Sequence, residues 1–403
     1  MGDRRSLTIP YSCVQAPYWM SMCVFMGFTA VYLQYLGYDN TETGIVLASG
    51  TLLGSLLGPC LASLIDRSAS QRLSAAILIP PVLAAEAAAL FILVSFPVKG
   101  AVTSAVYSVF IAVSTSVNTL NLRLYTDAVH RGLKIDFGIA RGIGSIGYVL
   151  ASFVLGFLCE SISEKIIPAA GIVICAMQLI AFLNFRNLLK KHVSEGGDQE
   201  VLPESSEKAS SVLTFLTENR SFSLILLGTV LAFYSHGTLC SFFINVVENV
   251  GGGVGDLGIL NGLMALFETP VVLFYTRLTK RWRTSSVLKF AFIMFTLKAA
   301  AVAAAGSVTA LGAALVLQAP SFGLYTGAIV LYADEIIAHE DSAKAQSLAF
   351  TVTMIANMLA SVVAGRQLDV LSVSTVLWIA CALCAAGSAV ACLGVRNTAD
   401  RQK

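Results

Sequence analysis

Charge is the scarcest property of this sequence: Asp, Glu, Lys and Arg together make up 12% of its 403 residues. Soluble globular chains carry about 25%. Half that complement cannot clothe a folded surface of this size in water, which excludes a soluble enzyme, a nucleic-acid binder and a disordered chain. Also missing are segments of about ten residues with alternating polarity, the signature of a transmembrane barrel. No P-loop, HExxH or Ser-His-Asp arrangement is present, so neither ATP drive nor hydrolysis is supported, and no cofactor or metal is expected. None of the nine Cys sits in a CxxC pair within a polar context. Seven (Cys13, Cys23, Cys60, Cys175, Cys240, Cys381 and Cys384) lie inside apolar runs and read as small apolar side chains, not disulfides or metal ligands.

What the chain has is apolar length. Hydrophobic residues make up 56% of it, and the mean hydropathy is +0.77. A spanning helix needs about 20 mainly apolar residues. Twelve such runs fall near 11–36, 43–65, 73–97, 101–125, 139–159, 166–187, 221–247, 257–276, 286–306, 308–332, 345–365 and 371–394. The first is too long for a signal-peptide core and lacks a small-residue cleavage site, so it is expected to stay on the protein. With the N-terminus inside, 22 of the 26 Lys and Arg fall in inner segments. This positive-inside bias predicts that both termini are cytoplasmic and supports the even helix count.

One long hydrophilic stretch, 188–220, divides the chain near its middle and reads as a flexible or partly helical cytoplasmic linker. The expected organisation is an N-terminal six-helix bundle over 1–187, this linker, and a C-terminal bundle over 221–403. Two short matches support duplication: YVLASFVLG (148–156) with NMLASVVAG (357–365) at an offset of 209, and GPCLASLID (58–66) with TPVVLFYTR (269–277) at 211. The predicted fold is therefore an all-α membrane protein of twelve helices in two pseudo-symmetric bundles. In parallel-repeat transporters of this kind the site lies at the midplane between the halves.

Several segments carry a family resemblance. The basic loop ASLIDRSASQR after the second run resembles the Asp-Arg loop motif of the major facilitator superfamily through Asp66, Arg67 and Arg72, without its usual glycines. More narrowly, YSCVQAPYWMSMC, FGIARGIGSIGYVLAS (137–152), SHGTLCSFF (235–243), FETP (267–270) and LQAPSFGLY (317–325) are similar to the lactose permease-like branch of oligosaccharide, nucleoside and phenylpropionate proton symporters. The resemblance implies a gating loop at Asp66 and Arg67 and a sugar-binding type of arginine at Arg141. It also implies a ring-stacking aromatic at Tyr148, and at Lys298 a counterpart of the proton-pathway arginine in helix 9. There are departures: the family's helix 4 carboxylate falls on Arg123, and its helix 10 His and Glu fall on Gln318 and Ser321.

Read on their own, the ionisable groups within spans are the first functional candidates, because each costs on the order of 2.5–3.5 kcal/mol at a helix centre. Glu268 stands 12 residues into the 20-residue run between Asp256 and Arg277. Desolvation favours its protonated form, and Pro270 offers a pivot. Glu86 lies 14 residues into the run 73–98, and His236 lies 16 into 221–247. The plainer alternative for each is a hydrogen bond to a neighbouring helix. The long side chain of Lys298 can snorkel, and a pair with a carboxylate on helix 8 or 10 would cancel its charge. These four are the candidate proton-coupling residues. Candidate substrate-binding residues are Arg141, Tyr148, Gln15, Trp19, Asn118, Asn121, Gln318, Tyr325 and Asn357. Tyr11, Gln15, Tyr18 and Trp19 share a face of helix 1, as do Asn118, Asn121 and Tyr125 on helix 4. GIGSIG (142–147) fits GxGxxG, but no strand precedes it; its glycines are expected to pack gate helices of the two halves.

These features predict a proton-coupled symporter of a sugar, nucleoside, aryl acid or similar solute, working by alternating access as a multi-pass monomer of the cell membrane, with no nucleic-acid partner. Proton-driven export of a drug or metabolite is the alternative, and a non-transporting membrane sensor is the alternative of another class.

Overall fold

The computed structural model describes residues 6–66, 74–194, 212–279 and 281–396. Among them there is no strand. The chain divides into two compact units, 1–204 and 205–403. In the first, α1 (Thr8–Met22) runs through a π-turn (Cys23–Gly27) into α2 (Thr29–Tyr35), followed by α3 (Asn40–Asp66), α4 (Ala75–Ser95), α5 (Ala101–His130), α6 (Phe137–Ser161) and α7 (Ile166–Ser194). The second begins with α8 (Val212–Glu218), α9 (Arg220–Ser241), α10 (Phe243–Asn249), α11 (Val254–Thr279) and α12 (Thr284–Ala303). A broken helix follows: α13 (Val308–Leu315), a 3-10 turn (Val316–Gln318), a π-turn (Ala319–Gly323) and α14 (Leu324–Ile336). The chain then forms α15 (His339–Val370) and α16 (Val373–Gly394).

Ten of these helical stretches are long and apolar enough to cross a bilayer, and two bent pairs raise the number to as many as twelve. Only helices satisfy every backbone group inside a lipid core, which is why apolar runs of this length become helices and nothing else. Three predicted runs are interrupted. The first bends by 46° after the π-turn, since a π-turn displaces one residue from the regular ladder. The seventh breaks at Phe242, whose φ of −124° and ψ of 36° leave the helical region. The tenth changes pitch around Pro320, which has no N–H to donate. The predicted linker is helical as far as Ser194 and again from Val212; residues 195–211 lie outside the described residues.

Bare backbone lets helices approach closely within each unit. Gly50, Gly54 and Gly58 recur every fourth residue on α3 and meet Ile111, Thr115 and Thr119 at the same spacing on α5. A Cβ on Gly50 would stand 2.7 Å from that of Ile111. In the second unit Gly228 of α9 and Gly387 of α16 each face the other's carbonyl. Gly144 and Gly147 face Trp19 and the Ala16 carbonyl of α1, so these two glycines of GIGSIG pack helices within one bundle. Tyr11, Val14, Tyr18, Leu83, Val117 and Phe182 belong to the core of the first unit. The second has an aromatic centre in which Tyr325 meets Phe233 at 4.9 Å and Phe292 at 5.6 Å between ring centroids.

Candidate functional site

Both units hold buried polar groups. In the second, Lys298 of α12 is 2% exposed. Its Nζ donates to Gln318 Oε1 at 2.9 Å and lies 3.1 Å from His236 Nδ1. An ammonium has donors only, so His236 must present Nδ1 as an acceptor while Lys298 is charged. Gln318 reaches Lys298 from the 3-10 turn that breaks the tenth span. The His236 ring is wedged against Phe322 at 4.8 Å and Phe233 at 5.8 Å. Cys240 Sγ lies 3.7 Å from His236 Nε2. Lys298 also sits over the Phe295 ring at 5.1 Å.

The structure gives Lys298 His236 and Gln318 as hydrogen-bond partners, with a helix 8 carboxylate, Glu268, as its electrostatic neighbour. Glu268 is half-buried on α11 and lies within electrostatic reach of Lys298 and Cys240. Its Cγ is 3.6 Å from where a Cβ on Gly323 would stand, which sets it against the π-turn of the tenth span. Three helices and one broken helix thus converge on a single buried cation with a carboxylate nearby.

In the first unit the Arg141 guanidinium lies 3.6 Å from the Trp19 ring centroid, a stacked cation–π contact. Arg141 NH1 donates to Ser145 Oγ at 2.7 Å, one turn along α6. Trp19 Nε1 donates to Gln15 Oε1 at 3.3 Å, Gln15 Nε2 to the Tyr11 hydroxyl at 2.6 Å, and Tyr11 to the Asn121 carbonyl at 3.0 Å. The shared face of helix 1 is thus one hydrogen-bonded ladder that holds the indole under the guanidinium. Tyr148 follows on α6, half-buried.

A second buried group of this unit is Glu86 of α4, whose Oε1 accepts from Ser21 at 2.7 Å and Ser114 at 2.9 Å. Nothing in the sequence distinguished Ser21 and Ser114 from the many small polar residues of apolar helices.

The remaining candidates are dispersed. Asn118 is exposed, whereas Asn121 is buried with its side-chain amide unpaired among the described residues. Tyr325 is buried in the aromatic centre and shares a hydrogen bond with Thr229 at 3.1 Å. Asn357 lies against Gly237, between α15 and α9. Asp66 ends α3, and Arg67 and Arg72 lie outside the described residues.

Two units of membrane-crossing helices, each with buried ionisable groups, define a polytopic membrane transporter. The chain belongs to the MFS_1 like family, whose model matches residues 12–376. Similar solved structures include a point mutant of the nucleoside transporter NupG, at 14% identity and a TM-score of 0.77, covering 96% of this chain and 100% of that one. A second NupG structure gives 16% and 0.73 over 96% and 99%. A bacterial homologue of the human lysosomal transporter Spinster, inward-facing and unoccupied, gives 13% and 0.67 over 97% of each chain. At these identities the likeness is one of fold. No curated protein matches the sequence.

Proposed function

We propose that this protein is a proton-coupled symporter that takes up a small polar organic solute bearing an aromatic ring, with nucleosides as the first class to test. The observation that carries the proton coupling is the contact between Lys298 and His236 at 3.1 Å. With a proton on each, both groups become donors and the contact is lost, so the pair holds one proton and not two. Glu268, within electrostatic reach, balances the cation when ionised and releases it when protonated. Such a group has discrete protonation states, the requirement for coupling proton entry to a change of conformation. The substrate class follows from Arg141 and Trp19: a rigid fork of donors beside an indole suits hydroxyls and a planar base. The fold shared with a nucleoside transporter points the same way. Localisation in the cell membrane with cytoplasmic termini, and a monomeric state, belong to the same proposal.

The test is uptake of labelled uridine, adenosine, lactose and phenylpropionate into proteoliposomes under an imposed pH gradient. Accumulation of one solute, driven by external acid and accompanied by external alkalinisation, is the expected result. Accumulation that follows a sodium gradient, or extrusion driven by the same protons, would overturn symport in favour of another coupling ion or of export.

A further inference from the structure

Glu86 is 1% exposed, and both hydroxyl donors that reach it, from α1 and α5, end on the same oxygen. Its other oxygen, Oε2, is buried and has no hydrogen-bond partner among the described residues. None of the ion pairs there involves it. A carboxylate spreads its charge over two equivalent oxygens, each able to accept; a carboxylic acid has one carbonyl oxygen with two lone pairs and one hydroxyl. Two donors on Oε1 match the two lone pairs of an acid's carbonyl, and the bare Oε2, unsatisfied in either state, costs less as a neutral hydroxyl than as half of a buried anion. Burial of an ionised carboxyl without a counter-charge is far costlier than burial of the neutral form. Among the described residues, Tyr18 of α1 and Cys175 of α7 lie within electrostatic reach of Glu86, neither of them a cation, and Tyr18 in turn lies within reach of Arg141.

We propose that Glu86 keeps its proton throughout the transport cycle and acts as a neutral clamp that sets α1 in place, not as an exchanging group. This rests on the transporter reading above and deepens it. Ser21 lies two residues before the π-turn at Cys23, where the first span bends. Trp19, the ring under Arg141, lies two residues before Ser21 on the same helix, and Tyr18 meets Trp19 edge-on at 5.4 Å. One acid carbonyl thus ties α1 to α4 and α5 beside the bend, and fixes the rotation of the helix that presents the indole. Glu86 is a positioning residue, acting on the indole through Ser21 and α1.

The experiment uses full-length protein in which Trp282 and Trp378 are changed to Phe, leaving Trp19 as the only tryptophan. Glu86→Gln retains a carbonyl for both serines and cannot ionise. It is expected to show uptake KM, uphill accumulation and pH profile within about twofold of the parent, and the same Trp19 emission. Ser21→Ala with Ser114→Ala, and separately Glu86→Leu, are expected to raise KM on the order of tenfold, with a smaller change in maximal rate and a shifted Trp19 emission. The parent-minus-Glu86→Gln infrared difference should contain a protonated carboxyl C=O band that persists from about pH 5 to 9, with and without uridine. Loss of that band at high pH, or loss of uphill accumulation in Glu86→Gln with exchange intact, makes Glu86 an exchanging group and sinks the proposal. If the parent shows no proton-driven uptake, the symport reading fails, while the infrared band and the Trp19 emission still judge the clamp.

Discussion

A double-mutant cycle on Lys298 and His236 separates a working charged pair from a chance contact. Lys298→Met removes two charge-assisted hydrogen bonds, at 2.9 and 3.1 Å, each worth roughly 1.5–3 kcal/mol. It also removes an ammonium whose insertion cost is about 2.5–3.5 kcal/mol. The bonds together are worth roughly 3–6 kcal/mol, so the net effect lies between about −0.5 and 3.5 kcal/mol. His236→Phe keeps a ring against Phe322, 4.8 Å away, but deletes the acceptor while the buried charge stays. It therefore loses one charged bond with nothing to offset it. In the double variant the missing acceptor no longer matters, and the stability should return close to that of Lys298→Met alone. The coupling energy expected is roughly 1.5–3 kcal/mol, or about 3–12 °C in apparent Tm at the 2–4 °C per kcal/mol of a unit of some 200 residues. Five cysteines are buried (Cys23, Cys159, Cys175, Cys381 and Cys384), so a thiol-reactive dye reports unfolding in detergent. Additive single effects, or a His236→Phe variant as stable as the parent, would refute the claim that Lys298 relies on the imidazole.

Arg141→Lys keeps the charge but loses the fork and the flat stack on Trp19; substrate affinity should fall roughly 10- to 150-fold, read by uridine-induced thermal shift, with membrane insertion unchanged. Glu268→Gln mimics a carboxyl that never releases its proton, so equilibrium exchange of labelled solute should survive while uphill accumulation is lost; unchanged accumulation moves the coupling role to His236 and Lys298 alone. Gly387→Leu drives a side chain into Leu231 and the Gly228 carbonyl, 2.6 and 2.7 Å from its Cβ, and should cost about 1–3 kcal/mol or more in apparent stability. Gly306→Ala, with nothing within 4 Å, serves as its neutral control.

The spans were legible because a bilayer demands one thing of every crossing segment, some 20 apolar residues, and composition reports that directly. The burial of Lys298, Glu86 and His236 was legible for the same reason: a charge or imidazole in mid-run has nowhere else to go. Their partners were not. Lys298 meets His236 and Gln318 across 62 and 20 residues of sequence, and no one-dimensional pattern says which faces of α9, α12 and the tenth span turn together. Opposite charge on helix 8 was the legible part, and Glu268 lies within electrostatic reach of Lys298; that a neutral imidazole and an amide oxygen take the ammonium's hydrogen bonds was not. Backbone events were equally hidden. The π-turn at Cys23–Gly27 and the break at Phe242 carry no proline and no cluster of turn residues.

Helical spacing also says less about environment than about direction. Asn118 and Asn121 are three residues apart and point to one side of α5, yet one is exposed and the other fully buried. A shared face about one turn deep crosses from open surface to packed interior wherever a neighbouring helix begins. In the first unit that neighbour is α1: its Tyr11 hydroxyl bonds the Asn121 carbonyl at 3.0 Å, leaving the Asn121 amide enclosed and Asn118, one turn away, free of that cover. The same helix carries Gln15 and Trp19 beneath Arg141 and Ser21 against Glu86. The position of α1 therefore decides both which polar groups of α5 stay accessible and how the guanidinium is presented. A change in its rotation by one residue step, about 100°, would dismantle the ladder from Tyr11 to Trp19 altogether. A carboxyl that holds α1 through Ser21 thus acts on binding by way of the helix, which is why Glu86 is best judged by its effect on Trp19 and not by its depth in the membrane.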